Sequence, residues 1–441
     1  MQRLILSAGF VGSNFLASFV VVVLIARYAD PGERAVFFTF QAVYFLTVTL
    51  SSQTAILQDY RGLRDSRAQA VIEAGIFLAA LAALALLVPG RAGWGTMLAY
   101  AASTVVAARA AAAMAALQYE MTDRRLGLVP LGSALLRIAV AAALMAVFEP
   151  AVAFLGSQVV PLAIAETARA WHRPHARHAR PASEPDTSAA RAGSPAHTRS
   201  AAHTQSPART QSPARTQSPA RTQPPAHTQP PARTRSTAPA CPPGGGYWQM
   251  LLYIAATAAA FQWDRLVMAR LGADTAVVTA GVIVTWVLPA LSLLFATIYR
   301  ANAREIFDRA HPPAQAGRIF ARHLALFVPA GMAYLGVLWL LWTPLNRLVF
   351  PFFDGPACWA MMVGAAVILD RIGNLAGFIG GRHFARLALL KGALIAVALI
   401  SVLLPGRLPD LGRVFVAYLA QAGAWAALSS LLLLTRRRAG A

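Results

Sequence analysis

The sequence predicts an all-α polytopic membrane protein with about twelve transmembrane helices in two six-helix lobes. Three observations predict it. The chain of 441 residues is 57% hydrophobic and 13% charged, with a mean hydropathy of +0.52, whereas soluble domains are roughly 25% charged. Runs such as Leu4–Ala26, Ala74–Val88, Leu324–Trp342 and Leu387–Leu404 meet or approach the roughly 20 apolar residues that cross about 30 Å of hydrocarbon. A segment built of Pro, Arg, Ser, Thr, Gln and His, from about Trp171 to Gly246, divides these runs six and six.

In chain order the predicted spans are 4–26, 35–58, 70–88, 94–117, 126–147 and 150–168, then 247–268, 274–298, 322–344, 356–378, 384–404 and 411–435. The first resembles a signal peptide, with Arg3 ahead and Ala26–Ala29 behind. Its apolar stretch exceeds the roughly 7–15 residues of a signal h-region, so it is read as a span. Only Glu149-Pro150 marks the turn between spans five and six. Helix is the expected state throughout, because an α-helix satisfies its backbone hydrogen bonds within one segment in lipid. A β-barrel would show alternating segments of about ten residues, and the sequence has none.

Orientation follows from arginine. With the N-terminus inside, the short inside segments carry 16 Arg and the outside segments 7. The positive-inside rule then places both termini and the insert in the cytoplasm. The domain plan is a lobe over 1–168, a linker over 169–246 and a second lobe over 247–441.

Within the linker, Arg209–Ala214 and Arg215–Ala220 are the same hexamer, Arg-Thr-Gln-Ser-Pro-Ala, and three near copies flank them. Proline in every unit opposes helix and sheet, and so polar a segment cannot bury enough apolar area to offset its ordering entropy. A disordered tether is expected. His172, His175 and His178 offer metal ligands, and the Arg units offer contacts to anionic lipid. A passive repeat expansion is the preferred account, with no metal.

The net charge of +21 suggests nucleic acid, but ten of the 39 basic residues lie between Trp171 and Gly246 and most others flank spans. No nucleic-acid partner is expected. Two isolated cysteines, Cys241 and Cys358, make neither a disulfide framework nor a metal site. The Ala- and Arg-rich bias, with Lys391 as the only lysine, points to a GC-rich bacterial genome. P-loop, zinc-protease and nucleophile-elbow motifs are missing, so neither an enzyme nor a bound cofactor is expected.

Ionisable groups inside spans are costly and therefore candidates for function. Arg137 lies near the middle of span five, too deep to snorkel, and its guanidinium fork suits phosphate oxygens. A hydrogen bond to a polar neighbour such as Asn14 is the structural alternative. Asp370-Arg371 lies in span ten. Consecutive residues point about 100° apart on a helix, so an ion-coupling role or an ion pair to another helix both fit. Asp264-Arg265 is placed at the outer end of span seven, where capping or pairing beside headgroups is preferred. Asn14, Gln41 and Gln53 are candidates to line a polar cavity. Arg109, Glu166 and Lys391 lie near inner ends, within snorkelling reach. Gly373 and Gly377 are read as a small-xxx-small packing contact.

The halves share a corner, Ile25-Ala26-Arg27-Tyr28-Ala29-Asp30 and Met268-Ala269-Arg270-Leu271-Gly272-Ala273-Asp274. Such an echo suits two repeats related by an axis along the membrane normal. These corners, with Trp263–Gly272 and the basic stretch Tyr119–Arg137, resemble the polysaccharide-exporter branch of the multidrug, oligosaccharidyl-lipid and polysaccharide transporter superfamily. Ala29 stands where that branch usually has Gly, the insert is unusual, and some members have fourteen spans. The resemblance implies a flippase in a bacterial inner membrane, moving lipid-linked oligosaccharide for surface polysaccharide by alternating access. It implies the bilayer and a lipid-linked glycan as partners, with glycan polymerases or glycosyltransferases nearby, and leaves coupling to a proton or sodium gradient open. The alternatives are a cation-coupled drug or metabolite antiporter of the same fold, or a membrane-embedded glycan polymerase or ligase. The last would need a large outer loop, and only short ones are present.

Overall fold

The computed structural model describes residues 2–61, 66–120, 128–178, 245–301, 313–380, 384–404 and 410–439. Among these every regular element is a helix. The first half holds α1 (Gln2–Tyr28), α2 (Pro31–Arg61), α3 (Ser66–Leu87), α4 (Trp94–Glu120), α5 (Leu128–Met145) and α6 (Pro150–His178). The second holds α7 (Gly245–Ala260), α8 (Trp263–Arg270), α9 (Asp274–Ala301), α10 (Pro313–Val349), α11 (Ala357–Gly380), α12 (Phe384–Leu403) and α13 (Leu411–Ala439). The repeat segment of the insert lies outside the described residues.

Eight of these helices are long and apolar enough to cross a membrane, and Phe15–Tyr28, Val129–Met145 and Gln249–Ala260 are shorter apolar stretches. Large apolar side chains face outward, among them Leu86 on α3, Leu340 on α10 and Leu389 on α12. Outward-facing leucines on helices whose interior is partly charged invert the soluble pattern. A multi-pass membrane protein results, and the expectation of an all-α polytopic fold is met.

Four helix pairs recur in both halves. In the first, α1 packs on α5, α2 on α3 and α4, and α3 on α4. In the second, α7 packs on α12, α9 on α10 and α11, and α10 on α11. Counting spans, these are the same pairs six spans later. The junction is reciprocal as well: α1 packs on α9, α7 packs on α2, and α2 meets α9. Such reciprocity is what a two-fold relation between repeats produces. Residues Met1–His172 and Gly244–Ala441 form one compact unit.

Each half has an aromatic core. Phe40 stacks on Tyr100 at 4.1 Å between ring centroids, and Phe37 and Phe154 meet the same group. In the second half Tyr253 touches Phe378, Phe384 and Trp425. The small-residue contact expected of Gly373 and Gly377 is present. A Cβ on Gly373 would lie 2.3 Å from Trp425 Cδ1, and one on Gly377 would lie 3.1 Å from Tyr253 Oη. These absent side chains let α11 lie close against α13 and leave room for the Tyr253 hydroxyl of α7 beside Gly377.

Span seven departs from its expected form. It is two helices, broken at Phe261-Gln262. The amide of Phe261 donates to Ala258 O at 3.2 Å and that of Gln262 to Ala259 O at 3.0 Å, so α7 closes in a tightened turn. The Leu266 amide returns to Gln262 O at 3.2 Å to start α8. Asp264 sits in the first turn of α8, where a carboxylate meets the positive end of the helix. Neither Pro nor Gly marks the break, so the sequence reads through it.

Candidate functional site

Broken helices expose backbone polar groups, and membrane proteins tolerate this where protein or a polar cavity surrounds them. The break at Phe261-Gln262 meets that condition. Gln262, Asp264 and Arg265 are 3%, 2% and 0% exposed. Arg265 donates to Gln262 Oε1 and, at 3.4 Å, to Gln41 Oε1 on α2. Trp263 Nε1 donates to Gln421 Oε1 on α13 at 3.0 Å. The break therefore ties α2 of the first half to α13 of the second. Asp264 Oδ1, Arg265 Nε and Gln421 Nε2 are buried with no protein partner, which leaves hydrogen-bonding capacity at the junction.

Asp264, expected with Arg265 to cap or pair beside headgroups, stands in the first turn of α8, and both residues are buried. Both side chains are enclosed by other helices.

Phe261 links this group to a second one. Its ring lies 4.8 Å from Arg371 Cζ and 6.0 Å from Lys391 Nζ. Arg371 donates to Ser292 Oγ on α9 at 2.9 Å. Asp370 faces elsewhere, as the 100° step requires, and pairs with Lys391 Nζ at 2.7 Å. Lys391 is 0% exposed, so it does not snorkel to an end as expected. Its position on α12 turns it toward α7 and α11 rather than toward lipid.

Asn374 is the hub of this second group. Its Oδ1 accepts from Lys391 Nζ at 2.8 Å, Tyr253 Oη at 2.9 Å and Trp425 Nε1 at 3.1 Å. Its Nδ2 donates to Asp370 Oδ2 at 2.7 Å. Sequence reasoning passed over Asn374, Gln262, Gln421 and Trp425 as ordinary span residues. One signal was available for Lys391: it is the only lysine in a chain of 441 residues, and it lies within a span.

Arg137 stands apart, in the first half. It is 6% exposed, donates from Nη1 to Ser18 Oγ on α1 at 2.8 Å, and its Nε has no protein partner. The side chains of Asn14 and Gln53 lie outside the described residues. Gln41 is engaged by Arg265 and 4% exposed. Arg109 pairs with Glu73 on α3 and remains half exposed.

The loop end opposite the termini is closed by three arginines of the first half. Arg91 pairs with Asp274, at the start of α9. Arg27 Nη1 donates to Leu348 O at 3.2 Å. Arg34 Cζ lies 4.0 Å over the Phe352 ring. Gly272, at φ +73°, turns the α8–α9 corner beneath Arg91, whose Nη2 lies 3.0 Å from where a Cβ would sit. The corner seen as an echo in the sequence is therefore part of this closure.

Among the described residues no group of three His, Cys, Asp or Glu side chains could hold a metal ion. No protein-family model and no curated protein matches the sequence. Solved structures do. The eukaryotic MATE transporter AtDTX14 superposes with a TM-score of 0.55 at 10% identity, covering 100% of this chain and 98% of that one. A MATE protein in its straight conformation gives 0.55 at 11% identity, covering 99% and 95%. An outward-facing multidrug resistance MATE family transporter of the MOP superfamily gives 0.51 at 11% identity, also covering 99% and 95%. At these identities the likeness is one of architecture, and the described helices have the fold of the MATE transporters.

Proposed function

We propose that this chain is a transporter of the bacterial cytoplasmic membrane, with both termini inside, working by alternating access between its two six-helix halves. Its cargo carries an anionic head, as a lipid-linked oligosaccharide does. The observation that carries this reading is the buried charge. Among the described residues, the buried cations Arg137, Arg265 and Lys391 stand against the buried carboxylates Glu73, Asp264 and Asp370; Glu73 pairs with Arg109 and Asp370 with Lys391, whereas the hydrogen bond of Arg137 goes to Ser18. A buried cation such as Arg137, with a hydroxyl rather than a carboxylate as partner, costs at least a few kcal/mol unless something negative offsets it. The diphosphate or acidic sugars of such a cargo would do so. The arginine asymmetry of the short loops supports the orientation, and the reciprocal packing of the halves supports rocking about the junction.

A second reading is a cation-coupled antiporter of drugs or metabolites. The structural neighbours favour it, since one is described as a multidrug resistance transporter. The buried carboxylates Asp264 and Asp370 would then serve the coupling cation. In the first reading the Arg137 guanidinium serves the cargo instead.

Proteoliposomes separate the two. A fluorescent polyprenyl-diphosphate glycan should cross faster with the protein than without it, and Arg137→Ala should abolish the gain while the protein stays in the membrane. Ethidium efflux without glycan movement would favour the antiporter, and unchanged glycan movement by Arg137→Ala would remove Arg137 from the mechanism.

A further inference from the structure

The Lys391 ammonium is held as a bound cation is held. Three oxygens of three kinds point at Nζ: the Asp370 carboxylate at 2.7 Å, the Asn374 amide at 2.8 Å and the Thr257 hydroxyl at 3.3 Å. Two aromatic faces complete the shell, Trp425 at 4.9 Å and Phe261 at 6.0 Å from ring centroids. Lys391, Asp370 and Asn374 are 0%, 1% and 2% exposed. Oxygen donors with one carboxylate suit a hard cation of single charge, whereas divalent sites gather more oxygens and more negative charge. Aromatic faces attract cations through their quadrupoles.

From this geometry we infer that Thr257, Asp370 and Asn374 form a monovalent-cation site whose resident ion is the chain's own Lys391 ammonium. The second half thus carries a tethered cation, anchored on α12 and bound by donors on α7 and α11. Apart from the ammonium, Asp370 Oδ1 has no hydrogen-bond partner. Removal of the lysine head therefore leaves a dry, unpaired carboxylate oxygen beside an amide and a hydroxyl oxygen. A free sodium or potassium ion, admitted to the space the side chain vacates, restores the balance. The site as it stands has no vacancy for such an ion, so Asp370 is closed to sodium in the native chain.

The test reads stability and stands apart from the cargo reading, so its failure leaves the transport proposal untouched. The full-length protein in detergent is unfolded thermally in sodium, potassium or N-methyl-D-glucamine chloride at one ionic strength. The wild type should melt at the same temperature in all three. Lys391→Ala should melt lower, and its midpoint should rise saturably with sodium or potassium but not with the bulky organic cation, as binding to the folded state alone requires. Adding Asp370→Asn should abolish that rise. A Lys391→Ala midpoint indifferent to the cation, or a wild type that shows the saturable rise, overturns the inference. If Lys391→Ala does not accumulate in membranes, the double variant Asp370→Asn/Lys391→Ala decides. Its recovery to wild-type levels supports a missing cation as the fault, and its continued failure overturns the inference.

Discussion

Gly373→Ala tests whether the close contact between α11 and α13 sustains the polar hub. The new methyl would lie 2.3 Å from Trp425 Cδ1, 2.4 Å from Nε1 and 3.1 Å from Ser429 Oγ. Carbon atoms in contact prefer about 3.5–4.0 Å, so the indole must retreat by more than about 1 Å. Trp425 is 0% exposed and has no open space to enter. Its Nε1 also donates to Asn374 Oδ1 at 3.1 Å, a bond that a shift of that size breaks. Overpacking of this kind costs about 1–3 kcal/mol, and the lost hydrogen bond adds about 1 kcal/mol. Gly132→Ala on α5 is the control, because nothing lies within 4 Å of the added methyl. Both variants gain up to about 1 kcal/mol of helix propensity, so their difference isolates the clash at roughly 2–4 kcal/mol. Thermal unfolding in detergent should show Gly373→Ala melting several degrees below Gly132→Ala. Trp425→Phe should partly rescue the first variant and not the second, the non-additivity expected of residues in contact. Equal midpoints for the two alanine variants would refute the packing argument.

Three further outcomes are expected. Asp370→Asn strands a buried ammonium and should destabilise by about 3–5 kcal/mol, read as a fall in the unfolding midpoint; a wild-type midpoint would contradict the burial of the pair. Arg91→Ala removes a half-exposed pair with Asp274 and should cost at most about 1 kcal/mol of stability. It should nonetheless raise maleimide labelling of a Cys introduced at Phe352, and unchanged labelling would show that this arginine does not hold the loop end closed. Deleting residues 181–240 should leave transport largely intact, and lost transport at normal membrane levels would give the insert an active role.

The closure by Arg27, Arg34 and Arg91 and the broken span seven lie on the same junction. Arg265, at the break, reaches Gln41 on α2, and Arg91, at the loops, reaches Asp274 on α9. The rocking motion proposed for transport would loosen the second contact. The first lies deeper and can serve as the pivot. The pairing of α2 with α7, α8 and α9 gives that pivot its area.

The sequence alone determined the architecture, because a helix in lipid needs only length and apolarity to be recognised. The all-helical, multi-pass build was legible in this way. The shared Ala-Arg corner was legible too, and Gly272 does adopt φ +73° there. The tertiary structure decided what those residues meet. Lys391 could face lipid, an end or a neighbour, and the rotation of α12 about its axis selects Asp370 and Asn374. In water that rotation is written as an apolar stripe, but in lipid both faces are apolar and the stripe is lost. The break at Phe261-Gln262 has no Pro or Gly to announce it. What accompanies it is the set of polar groups brought in by α2, α11, α12 and α13, which one sequence read along its length cannot place.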